Sequence, residues 1–91
     1  ALLELDALPY FSGARDLAAR GVASSLAPSN RTAAAPLLTD LDQAADALMF
    51  APQTAGGLLA AVPEAVADEA IAAGAWRIGQ MLKGPARIEL S

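Results

Sequence analysis

The residues best equipped to hold an anion fall in two short stretches of this chain, 24–31 and 52–57. In the second, Pro52-Gln53-Thr54-Ala55-Gly56-Gly57, paired glycines let a backbone approach a phosphate closely and point N–H groups at it. Thr54 adds a hydroxyl donor and Gln53 an amide. The plainer reading is a helix stop followed by a permissive turn. A phosphate loop usually sets its glycines ahead of a helix, whose dipole helps, and here an apolar run follows instead. In the first stretch, Ser24, Ser25, Asn30 and Arg31 bring hydroxyls, an amide and a guanidinium that could bind an oxyanion. A solvated loop whose side chains cap their own backbone uses the same residues.

Asp40, Asp42 and Asp46 raise the question of a divalent cation, but a solvated helix face explains them more simply, so no metal ligand is assigned. Trp76 alternates with Ile78 and reads as a core anchor rather than a stacking platform. No set joins a nucleophile to a base, so no catalytic residue is assigned. The chain carries half of a site at best.

Composition narrows the remaining classes. The chain has 91 residues, enough for one domain with a modest core. Of its 55% hydrophobic residues, 24 are alanine, so the figure overstates the apolar burial available. No apolar run approaches the roughly 18 residues of a membrane span. There is no cysteine and no histidine, which removes disulfides, thiolate or imidazole zinc sites and His-based triads. Six basic residues, scattered through a chain of net charge −4, argue against nucleic-acid binding. The chain begins at Ala1 with strand-like sequence almost at once, which suggests a piece of a longer protein.

The elements that would position these residues follow from pattern and punctuation. Leu2 to Leu5 reads as a strand. Residues 12–20 read as a helix, with Ser12 as cap and Gly21 just past the end. Residues 21–36 read as a long loop, broken by serines, prolines and Asn30. Its Asn30-Arg31-Thr32 matches a glycosylation sequon, treated as chance without evidence of secretion. Residues 39–49 read as a second helix, Thr39 and Asp42 resembling a capping box. The apolar run 57–62 reads as a buried strand. Pro63 opens a third helix and Gly74 ends it. Alternation at Trp76, Ile78 and Gln80, the Lys83-Gly84-Pro85 turn, and alternation at Ala86, Ile88 and Leu90 read as a hairpin. The expected fold is α+β, a mixed β-sheet with helices packed on one face, and residues 1–91 form a single domain.

The stretch "LMFAPQTAGGLLAAVP" resembles a signature near the C-terminus of selenophosphate synthetases (selenide, water dikinases). In that family it usually reads Asp-Pro-Gln-Thr-Ser-Gly-Gly-Leu-Leu. Pro52, Gln53, Thr54, Gly56, Gly57, Leu58 and Leu59 match, seven of nine positions in order, which makes the likeness fairly specific. "GVASSLAPSNR" is similar to a second family segment through Ser24, Ser25, Pro28, Asn30 and Arg31. Ile78 and Gly79 meet the family's closing Ile-Gly, so the likeness spans nearly the whole chain. Ala51 departs from the family's Asp, and Ala55 from its frequent Ser. The first change could remove a cap or a polar contact, or mark a degenerate copy.

The resemblance implies a C-terminal domain of the aminoimidazole ribonucleotide synthetase-like type. In such enzymes ATP and magnesium lie between it and an N-terminal domain that dimerises. The reaction turns ATP, selenide and water into selenophosphate, AMP and phosphate. The family's Cys or selenocysteine, its lysine and its magnesium-holding aspartates lie upstream of this segment. The implied role is therefore part of the ATP-cleft wall, inactive alone, with Thr54, Gly56, Gly57 and Gln53 facing phosphate and Asn30 and Arg31 as further candidates. Implied partners are the N-terminal domain of the same chain and a second subunit, with no nucleic acid and no membrane, in the cytoplasm. A parent fused behind a pyridine-nucleotide-disulfide oxidoreductase domain is also compatible. The competing reading is a non-catalytic module kept for interdomain or dimer packing, which Ala51 favours.

Overall fold

The computed structural model describes residues 1–39 and 47–91. In chain order the regular elements are β1 (Leu2–Leu3), α1 (Ala14–Ala19), α2 (Ala27–Ala34), β2 (Leu38–Thr39), α3 (Ala67–Ala72), β3 (Gly79–Gln80) and β4 (Ile88–Leu90). Short 3-10 turns at Leu5–Ala7, Ala35–Leu37, Ala47–Phe50 and Glu64–Val66 connect them. The strands form one mixed sheet in the order β2-β4-β1-β3. β4 runs parallel to both β1 and β2, whereas β1 and β3 are antiparallel. The α+β class expected from the sequence is present.

Two helix ends follow from the sequence. Gly21, at φ +86°, donates to Ala18 O at 2.9 Å, and Val22 donates to Leu17 O at 3.0 Å. Gly74, at φ +101°, donates to Ile71 O at 2.9 Å, and Ala75 to Ala70 O at 3.0 Å. Both pairs satisfy the last carbonyls of a helix in the Schellman arrangement, which needs a left-handed residue and so favours glycine.

Other expectations are corrected. Residues 21–36 are not a loop, because α2 occupies Ala27–Ala34. Pro28 sits in its first turn, where its missing N–H is no loss. Ser29 and Thr32 hydroxyls donate back to Leu26 O (2.9 Å) and Pro28 O (3.0 Å), so the polar residues that suggested a loop are absorbed by the helix. α1 starts one residue after Gly13, whose φ of +80° places it at the helix entrance, and Ser12 makes no cap. Thr39 lies in β2, with its hydroxyl donating to Ile88 O at 3.4 Å. Residues 40–46, most of the expected second helix, lie outside the described residues, as do Asp40, Asp42 and Asp46.

The run 57–62 is not a buried strand. Leu58 and Leu59 are 101% and 79% exposed, and the run pairs with none of the four strands. A continuous apolar run signals a strand only where both faces are covered, and the described residues cover neither. The C-terminal hairpin is also absent, since β3 and β4 both pair with β1, which lies between them. Strand β1 outcompetes direct pairing because Glu4 N–H reaches Ile78 O (2.9 Å) while Ser91 N–H reaches Leu3 O (3.0 Å). Trp76 is 68% exposed and anchors no core.

Among the described residues the core is small. Ala27, Phe50 and Leu90 are buried, with Leu3, Leu5, Ala34, Leu38, Ala47, Met49 and Ile88 packed against them. The chain exposes 6874 Å², against about 4,900 Å² for a compact monomer of its mass. Its radius of gyration is 14.1 Å, where about 12 Å is usual for this length. Large apolar side chains left open to solvent, among them Phe11, Leu58, Leu59, Trp76 and Met81, contribute to the excess.

Candidate functional site

The site grows from one hydrogen bond. Asn30, in the middle of α2, donates through Nδ2 to Phe50 O at 2.9 Å. The bond joins residues 20 apart in sequence and is partly buried. It fixes the end of the Ala47–Phe50 turn against α2, and thereby the point from which residues 51–57 depart. Arg31, next along the helix, lies over the Phe50 ring with its guanidinium carbon 5.5 Å from the centroid. A cation at that distance over an aromatic face is attracted by the ring quadrupole.

Between α2 and this turn lies a shallow groove of about 290 Å³, lined by Ala23, Ser24, Ala27, Pro28, Arg31, Ala47 and Phe50. Its floor is apolar, and Ser24 and Arg31 supply its polar groups. The Ser24 hydroxyl accepts from Leu26 N–H at 3.2 Å, which holds the entrance to α2. The site thus combines a rigid helix, one aromatic ring and one guanidinium.

Residues 51–57 continue outward, all exposed. Gln53 N–H donates to Ala51 O at 2.8 Å, and the Gln53 side-chain amide donates to Ala55 O. The segment therefore closes on itself as a tight turn. A Cβ on Gly56 would meet Gln53 Nε2 at 3.4 Å, an ordinary contact, and one on Gly57 would meet nothing within 4 Å. Neither glycine has a positive φ. Their backbone does not use the left-handed freedom that an N–H nest draws on. What glycine provides here is an unshielded backbone, with the Thr54 hydroxyl beside it and no hydrogen-bond partner for that hydroxyl among the described residues.

The structure thus brings Asn30 and Arg31 together at Phe50 and places Gln53, Thr54, Gly56 and Gly57 in the exposed turn that follows. Phe50 was missing from the residues picked by chemical type. It is 7% exposed, supplies the carbonyl that Asn30 holds and the ring that Arg31 covers. A large aromatic at the head of a proline-broken turn, in a chain with four aromatics, was the available signal. Among the described residues no three His, Cys, Asp or Glu side chains cluster closely enough to hold a metal ion. No helix among them is long and apolar enough to cross a membrane.

Comparison with protein-family models, curated proteins and solved structures finds no match to this chain.

Proposed function

We propose that this chain is the C-terminal domain of a selenide, water dikinase-like enzyme, with residues 51–57 forming part of one wall of its ATP cleft. One observation carries the reading. The two stretches that resemble selenophosphate synthetases, 21–31 and 48–63, are tied together in space by the Asn30–Phe50 hydrogen bond. Resemblance in two separate segments is more telling when the fold gives both one location.

In this reading the exposed N–H groups of residues 54–57 and the Thr54 hydroxyl face the nucleotide phosphates. Arg31 and Asn30 brace the turn from behind through Phe50. Phosphoryl transfer needs positioning and charge stabilisation above all, and a fixed wall of donors supplies the first. The described residues offer phosphate donors but no metal-holding cluster. By the family resemblance, magnesium would be held by aspartates of an N-terminal domain, which would also bring the nucleophile, the lysine and the dimer contact. The domain would then be of the aminoimidazole ribonucleotide synthetase-like type, with its helices on one face of the sheet and its parent cytoplasmic.

A second reading, a packing module that has lost catalysis, is favoured by Ala51 in place of the family's Asp and by the full exposure of Leu58. Two measurements test the cleft-wall reading, and the first also separates it from the packing module. Thr54→Val in the full-length gene product should raise the ATP KM about tenfold, the value of one hydrogen bond to a charged group. An unchanged KM contradicts the cleft-wall role. The 91-residue chain alone should show no micromolar ATP affinity by calorimetry, and such affinity would overturn the claim that the wall needs the rest of the site.

A further inference from the structure

Residues 54–62 have no ladder to hold their shape. Among the described residues no backbone group of this segment bonds another backbone group. The last such bond before it is Gln53 N–H to Ala51 O at 2.8 Å, and the next after it is Val66 N–H to Pro63 O at 3.0 Å. Whatever shape residues 54–57 keep must therefore come from side chains.

One side chain is placed to supply it. The Gln53 amide nitrogen Nε2 donates to Ala55 O, two residues on. The same side chain lies against Gly56. A Cβ built on Gly56 would have Gln53 Nε2 at 3.4 Å and Gln53 Cγ at 3.5 Å as its nearest neighbours. Gln53 thus touches the segment at three points: Ala51 O through its main-chain N–H, Ala55 O through its amide, and the Gly56 backbone by contact.

We propose that Gln53 is a positioning residue for the phosphate-facing turn, its side-chain amide clasping residues 53–56 into one shape. The clasp holds the Thr54 hydroxyl and the neighbouring N–H groups in a fixed array. Its consequence for a ligand rests on the cleft-wall reading; the clasp itself does not. Donors already held in place bind an anion better than donors that must be ordered on binding, because ordering a loop costs free energy. An amide directed inward at Ala55 O acts on the ligand through Thr54, not by touching it. Gln53 is exposed, so its bond competes with water. The expected loss is that of one neutral hydrogen bond, about threefold to tenfold in an equilibrium constant.

Gln53→Met removes the donor while keeping length and neutrality, and two readouts follow it. On the 91-residue chain, nitrogen-15 relaxation should show the order parameters of residues 54–57 falling in the variant below about 0.6, the flexible range, with those of α2 unchanged. Equal order parameters in variant and unaltered chain overturn the clasp. In the full-length gene product the substitution should raise the ATP KM about threefold to tenfold, with kcat within about twofold. In a Thr54→Val background the same substitution should change KM by less than about twofold, because the group it positions is gone. An unchanged KM beside an intact Thr54, or the same rise in both backgrounds, overturns action through Thr54. If Thr54→Val alone leaves KM unchanged, the cleft-wall reading fails instead, and the relaxation result decides the clasp.

Discussion

Replacing Asn30 with alanine should detach the turn at Phe50 from α2, and the cost can be worked from the structure. The Asn30 amide donates to Phe50 O at 2.9 Å, and Phe50 is 7% exposed. Without the amide a largely buried carbonyl loses its partner, a loss worth about 1–3 kcal/mol. Asn30 is half-buried, so water reaches part of the gap and the lower half of that range applies, about 1–2 kcal/mol. A chain with so few buried side chains sits near the low end of domain stability, about 5 kcal/mol. With a urea slope of about 1 kcal/mol/M, the unfolding midpoint should fall by about 1–2 M. Asn30→Asp should fall further, because a carboxylate oxygen would face the carbonyl. Ser29→Ala, one residue earlier and exposed, should stay within about 0.5 kcal/mol. Urea titration by circular dichroism reads all three. An Asn30→Ala midpoint equal to the parent's would refute the view that this bond organises the site.

Three further outcomes follow from the packing. Gly79→Ala should cost about 3 kcal/mol or more, because a Cβ there would lie 2.0 Å from Leu2 O; a thermal melt unchanged from the parent would contradict the β1–β3 register. Leu90→Ala, at 4% exposure, should cost about 2–5 kcal/mol, whereas Leu58→Ala should move stability by less than about 0.5 kcal/mol. Equal costs at the two leucines in a urea titration would mean that residues 57–62 are buried after all. The ion pairs Asp6–Arg15, Glu64–Arg77 and Arg87–Glu89 are exposed, so 1 M sodium chloride should change the midpoint by no more than the equivalent of about 1 kcal/mol; a larger fall would show that surface charge holds the fold.

What the sequence made legible was its punctuation. Gly21 and Gly74 end helices as read, because a left-handed residue with two returning hydrogen bonds is a local requirement that one residue type meets cheaply. The first and last strands were legible from side-chain pattern, the first as a short apolar run, of which Leu2–Leu3 is strand, and the last as the alternation of Ile88 and Leu90 about Glu89. Misreadings arose where the outcome depends on distant partners. Ser29, Asn30 and Thr32 look like loop residues until α2 turns each hydroxyl to a carbonyl behind it and the amide to Phe50. Leu58 and Leu59 look buried until the sheet is complete without them. The expected hairpin failed because β1, 75 or more residues away, inserts between its strands.

The candidate site was half legible. Chemical type picked out Asn30, Arg31 and Thr54, and the structure ties the first two to Phe50. Phe50 escaped because its contribution is a backbone carbonyl and a ring face, neither of which a residue type announces. Gly56 and Gly57 were chosen for conformational freedom that their backbone does not use. Their value to a ligand would lie in bare, accessible N–H groups instead.

The most direct test is to express the full-length product of the gene that encodes this chain and follow ATP by phosphorus NMR, with and without selenide. The proposal requires AMP and orthophosphate to accumulate only when selenide is present, together with a selenophosphate resonance. ATP left intact in the presence of selenide and magnesium would contradict it and leave these 91 residues as a packing module.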